Sequence, residues 1–179
     1  MKKKTLRKLE HPILIGLMGC GKSSIGRRLS KELKMPFIDL DDVIVEQAGM
    51  SIPEIFARHG EDYFRDLESV ALANYIGQRV ILASGGGVVM REINRKVLKS
   101  HPPVIWLKAP PEFIAARIAG DPNRPLIAGQ DALRRLTELA AIRYPLYKEC
   151  ADLVIDREIM DKDLITEQII KYLKKRAKS

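Results

Sequence analysis

Residues 16–23 read GLMGCGKS and follow directly on the apolar run PILIG at 12–16. GxxxxGKS between a strand and a helix is a phosphate-binding loop. Its glycines let backbone N–H groups turn toward anionic oxygens, and the positive end of the following helix adds to the attraction. Lys22 reaches the β and γ phosphates of a nucleotide, and the Ser23 hydroxyl is placed to ligate Mg²⁺. A glycine-rich turn with no ligand is the competing reading; the matched spacing and the flanking strand favour the nucleotide. The motif also limits the fold, because it demands a strand, a tight turn and a helix in that order.

Four further β-prone runs satisfy that demand: PFIDL (36–40), VILAS (80–84), PVIWL (103–107) and DLVID (152–156), separated by longer segments of helical character. Nearly continuous apolar runs suit parallel strands covered on both faces. The expectation is an α/β, three-layer fold with a five-stranded parallel sheet flanked by helices. Helix starts are marked by Ser51 with Glu54 as a capping box, by Ala109-Pro110-Pro111-Glu112, by Gly129-Gln130-Asp131, and by Asp161 before the last helix. The Gly- and Pro-punctuated stretch 120–131 (GDPNRPLIAGQD) reads as a mobile lid inserted between two helices.

At 179 residues the chain suits one domain. No repeat or linker divides it, so the expected organisation is a basic, flexible extension over 1–10 and a single domain over 11–179. The net charge of +8 raises the question of nucleic acid. The excess sits at the ends: residues 1–10 hold five bases and one acid, residues 171–179 five bases and no acid, and the body holds 21 bases against 22 acids. Such ends read as solvated tails, so no nucleic-acid partner is expected. No apolar run approaches the roughly 18 to 20 residues that span a bilayer, so no membrane association is expected. Cys20 and Cys150 form no CxxC pair, which suits a reducing cytoplasm.

A phosphate loop alone does not distinguish a kinase from a switch or a motor. No NKxD guanine-reading sequence occurs and the chain is short for a motor, so a compact ATP-dependent kinase is favoured. Asp39 and Asp41 close the second strand run. The two-residue period of a strand would aim both at the carboxyl edge of the sheet, where open α/β sheets bind ligands. Asp39 suits a metal and Asp41 an acceptor hydroxyl; helix capping is the alternative. Gly85-Gly86-Gly87 would let a ligand approach the backbone, unless it is a simple flexible turn. Arg65 and Arg143 would clasp an anionic acceptor if they converged, and are surface ion-pair partners if they do not. Arg124, in the lid stretch, could swing over the phosphates, or merely solvate its loop.

Taken together, GLMGCGKSSIGRRLS, FIDLDD, IFARHGEDYFRDLE, ASGGG, NRPLIAG and RYPLY resemble the shikimate kinase family in order and spacing over roughly 11–156. The resemblance implies transfer of the γ-phosphoryl group of ATP to the 3-hydroxyl of shikimate, with Mg²⁺, in a monomer. The product, shikimate 3-phosphate, lies on the route to chorismate and aromatic amino acids. It implies a nucleotide site of Gly19, Cys20, Gly21, Lys22, Ser23 and Ser24, with Arg117 against the adenine. Asp39 would hold the metal through water, together with Ser23. Asp41 would bind the shikimate hydroxyls and serve as candidate base, Arg65 and Arg143 would clasp the carboxylate, and Gly86 would contact the substrate from its backbone. Lys22 and Arg124 would stabilise the transferring group. Cys20, Ser24 and Leu40 depart from the residues commonest in the family, and none removes a functional group invoked here. The alternatives are another small kinase, for gluconate or a nucleotide, and a non-catalytic nucleotide-binding regulator.

Overall fold

The computed structural model describes residues 9–119 and 131–179. Its sheet has five parallel strands in the order β2-β3-β1-β4-β5, formed by Ile13–Ile15, Phe37–Asp39, Ile81–Ala83, Val104–Lys108 and Leu153–Asp156 in chain order as β1 to β5. β1 is central, pairing Ile13 with Leu82 of β3 on one side and with Val104 of β4 on the other. All three of its side chains are buried, which explains the unbroken apolar run: helices cover both faces, so neither can be polar. All five expected strands form, each shorter than its run or shifted by a residue.

Eight helices are formed among the described residues: α1 (Lys22–Leu33), α2 (Leu40–Ala48), α3 (Ile52–His59), α4 (Glu61–Tyr75), α5 (Glu92–Lys99), α6 (Pro111–Ile118), α7 (Asp131–Cys150) and α8 (Lys162–Arg176). α1 buries Ile25, Leu29 and Leu33, one turn apart, and ends where Lys34 enters the left-handed region and returns its N–H to the Ser30 carbonyl. The capping box is present on α3: Ser51 N–H donates to Glu54 Oε2 at 2.7 Å, and Ser51 Oγ accepts from the Glu54 N–H at 3.3 Å. Pro111 occupies the first turn of α6, and Asp161 caps α8 by accepting from Leu164 N–H at 2.8 Å. α7 begins at Asp131, as expected; Gly129 and Gln130 lie outside the described residues, with the rest of 120–130.

The boundary drawn after residue 10 falls inside packed structure. Leu9 is buried in the core, and Glu10 accepts from Arg176 Nε at 2.5 Å and Nη2 at 3.2 Å, tying the start of the described chain to the end of α8.

Candidate active site

Three connections leave the carboxyl edge of the sheet side by side, after β1, β2 and β3, the second passing directly into α2. The first is the phosphate loop. Gly16 sits at φ +145, and a Cβ there would lie 2.7 Å from the Leu107 carbonyl of β4, so both conformation and space require glycine. Lys22 Nζ folds back onto its own loop, donating to the Gly16 carbonyl at 2.7 Å and to that of Leu17 at 3.0 Å. Gly19, Cys20 and Gly21 form the loop and Ser23 and Ser24 the first turn of α1; Cys20 is fully buried.

The junction of β2 and α2 corrects the sequence reading of the aspartates. β2 ends at Asp39, and Asp41 already lies in the first turn of α2, so a strand period does not align them. Asp39 is the N-cap instead: its Oδ1 accepts from the Asp41 N–H at 3.0 Å. Its other oxygen, Oδ2, accepts from Ser23 Oγ at 2.5 Å, joining the phosphate loop to α2. Helix capping was the alternative posed for these acids; it is Asp39 that caps α2, through one oxygen, while the other holds Ser23. Asp41 is mostly buried. Desolvation first, and the Asp39 charge second, push its carboxyl up to about 6, against the pull of Lys22 and Arg65.

The third loop, Gly85-Gly86-Gly87, shows why three glycines follow β3. A Cβ on Gly87 would fall on the Arg65 guanidinium. One on Gly86 would lie 3.3 Å from both Arg143 Nη1 and Met18 N, and one on Gly85 would lie 2.5 Å from Glu68 Oε1 and 2.8 Å from Asp41 Oδ1. The glycines are therefore the floor on which Arg65 of α4, Arg143 of α7, Glu68 and Asp41 meet. Both arginines are buried, and neither is the surface ion-pair residue that helical arginines commonly are. Polar atoms with no partner among the described residues include Asp41 Oδ1, Glu68 Oε1 and Arg143 Nε. Buried orphan groups gathered in one place mark a site built for a polar ligand.

Two participants had no role in the sequence reading. Glu68 lies one turn after Arg65 and holds it at 3.0 Å, with Glu61 holding the other side of the fork at 3.0 Å. Burial raises the Glu68 carboxyl in spite of Arg65. The i, i+3 spacing in FRDLE was the available signal. Tyr147, fully buried, donates from its hydroxyl to the Gly86 carbonyl at 2.5 Å. Its aromatic wall of Trp106 and Tyr144 supports the glycine loop from below, with ring centroids 5.7 and 6.3 Å from that of Tyr147. Arg117 is exposed on α6 with its guanidinium 5.6 Å from the Phe113 ring centroid. Arg124 lies outside the described residues, as does all but the last residue of the expected lid.

Residues 18–174 match the model of the family described as shikimate kinase. That match spans most of the chain. This chain belongs to the shikimate kinase family. It is 44% identical over 163 residues to a shikimate kinase of Bradyrhizobium diazoefficiens, covering 90% of this chain and 78% of that one. With a shikimate kinase of Zymomonas mobilis it shares 49% over 135 residues, 75% of this chain and 77% of the relative. Its fold matches that of the shikimate kinase from Acinetobacter baumannii in complex with shikimate at a TM-score of 0.88 and 34% identity, covering 94% and 95% of the two chains. Membership makes the protein an ATP-dependent small-molecule kinase, and the α/β phosphate-loop fold is the family's own.

Proposed function

We propose that these three connections divide the family's reaction among the residues they gather. The γ-phosphoryl group of ATP moves to the 3-hydroxyl of shikimate, giving ADP and shikimate 3-phosphate for chorismate synthesis. The observation that carries this reading is the meeting of two buried arginines with the partly orphaned Asp41 carboxylate over the glycine loop. A planar carboxylate matches the arginine fork, and hydroxyls beside it match an acceptor carboxylate.

Arg65 and Arg143 clasp the shikimate carboxylate, with a backbone N–H of the Gly86 segment as a further donor. Asp41 accepts the hydrogen bond of the reacting hydroxyl, orients it, and takes up its proton as the new P–O bond forms. Residues 16–24 hold the phosphates, Lys22 and Arg124 stabilise the charge of the transferring group, and Arg117 packs on the adenine.

Ser23 Oγ and Asp39 Oδ2, 2.5 Å apart at a helix start, are hard oxygen donors. Among the described residues no cluster of three or more His, Cys, Asp or Glu could cage a metal. The pair fits Mg²⁺, which keeps most of its waters and takes one or two protein oxygens beside substrate phosphates. When bound there it would neutralise phosphate charge.

The proposal extends to a monomer in the cytoplasm without a nucleic-acid partner. Among the described residues no helix is long and apolar enough to cross a membrane. The assignment of the two arginines is tested by Arg143→Lys kinetics. Loss of the fork should raise KM for shikimate about 10- to 100-fold with KM for ATP unchanged, as expected for 1.5 to 3 kcal/mol of charge-assisted hydrogen bonding. A variant with unaltered shikimate KM would remove Arg143 from the acceptor site.

A further inference from the structure

β5 leaves the sheet at Asp156, and the next side chain turns back into the protein. Arg157 is only 3% exposed. Its Nε donates to the Cys20 carbonyl at 3.0 Å and its Nη1 to the Met160 carbonyl at 2.9 Å, with the guanidinium carbon 5.6 Å from the Phe113 ring centroid. One acceptor belongs to the phosphate loop and the other to the loop between β5 and α8. Burial and the nearby charge of Arg117 both weigh against a cation here and lower its pKa. A guanidinium kept in such a place needs a reason beyond solubility, and no role assigned above uses it.

The geometry points to Arg157 as a positioning residue for nucleotide binding, acting through the Cys20–Gly21 peptide. In a trans peptide the C=O and the following N–H point in opposite directions. The Cys20 carbonyl is turned onto Arg157, so the Gly21 N–H points the other way, the side proposed for a phosphate oxygen. Gly21 adopts φ +102, which side chains rarely tolerate, and a Cβ there would lie 3.3 Å from Arg157 Nε. Glycine makes the orientation accessible, and the arginine keeps the peptide from rotating out of it. Without the guanidinium, the Cys20 carbonyl, in a fully buried residue, is left unpaired or rotates to find another partner. Rotation withdraws a phosphate donor. The cue in the sequence was slight: an arginine just after the last strand, far from every motif.

This inference rests on the proposed assignment of residues 16–23 to the nucleotide phosphates, and the experiment separates the two. Full-length wild type, Arg157→Met, Arg157→Lys and Lys22→Ala are compared by steady-state kinetics and by calorimetric titration with MgADP. Arg157→Met should raise both KM for ATP and Kd for MgADP about tenfold, the loss expected for one charge-assisted hydrogen bond, with KM for shikimate within about twofold of wild type. Arg157→Lys, which keeps the charge but not the fork, should recover only part of the affinity. The backbone ¹⁵N resonance of Gly21 should shift less on MgADP addition in Arg157→Met than in wild type, a readout that general loosening would not confine to one amide.

Wild-type nucleotide affinity in a folded Arg157→Met overturns the inference, as does an equal rise in both substrates' KM. Should that variant fail to fold, wild-type MgADP affinity in Arg157→Lys overturns it instead. Wild-type MgADP affinity in Lys22→Ala would contradict the phosphate-loop assignment itself, independently of Arg157.

Discussion

Asp41 carries an electrostatic cost at the site. Its carboxyl is raised from the ordinary 3.8 to about 6, mainly by burial. A native acid with a raised pKa binds more protons than the unfolded chain between those values. Stability therefore falls as pH rises from about 4 through about 6, and the penalty is fully present at neutral pH. Asp41→Asn should stabilise the substrate-free protein by about 1 to 3 kcal/mol at pH 7.5, seen as a melting temperature higher by a few degrees, with the gain vanishing near pH 4. The same variant should lose about 10²- to 10⁴-fold in kcat, the usual worth of a positioned base, while still binding MgADP. In wild type, kcat/KM for shikimate should fall below about pH 6, as Asp41 gains its proton. An unperturbed acid limb would show that another group governs the acceptor. That Asp39 and Asp41 lie beside the phosphate loop was legible from residue type and the neighbouring motif. Their geometry was not, because a strand ending between them and a helix starting there reads the same in sequence as a longer strand.

At the scale of elements, the legible features were local ones. The strand runs, the capping box of α3 and the Asp161 cap of α8 depend on residues within four positions of one another. The meeting of α4 and α7 over the glycine loop depends on topology, since Arg65 and Arg143, far apart in sequence, both lie against the loop that follows β3. Glu68 and Tyr147, though part of the quoted FRDLE and RYPLY segments, were given no role for the same reason: a buried acid paired with an arginine and a buried tyrosine on a carbonyl have meaning only when their partners are known. Tyr147→Phe removes the bond that holds the Gly86 carbonyl and should raise KM for shikimate about three- to tenfold with KM for ATP unchanged, the effect of about one hydrogen bond. Gly87→Ala places a methyl on the Arg65 guanidinium and should weaken shikimate binding more, since a fork displaced from its pocket loses both its bonds. Isothermal titration with shikimate measures both; wild-type affinity in Gly87→Ala would mean that Arg65 does not bind the acceptor where it now lies.

Across the whole molecule, the charge excess and the catalytic body are separable. The net positive charge sits at the two ends, and the structure ties those ends together through Glu10 and Arg176 while burying Leu9. Deleting residues 1–8 should leave kcat/KM within about twofold of wild type, whereas deleting residues 1–10 should also lower the melting temperature, because a buried leucine contributes about 1.5 to 3 kcal/mol. Equal melting temperatures for the two truncations would show that the Leu9 and Glu10 contacts add nothing. Fold and activity class were legible because a run of spaced motifs covers most of the chain. The identity of the acceptor rests on the assembled pocket and is tested most directly by ADP release with ATP and Mg²⁺, comparing shikimate, gluconate and nucleoside monophosphates as acceptors. Turnover with shikimate alone is the predicted result, and turnover with gluconate or a nucleotide in place of shikimate would contradict the account.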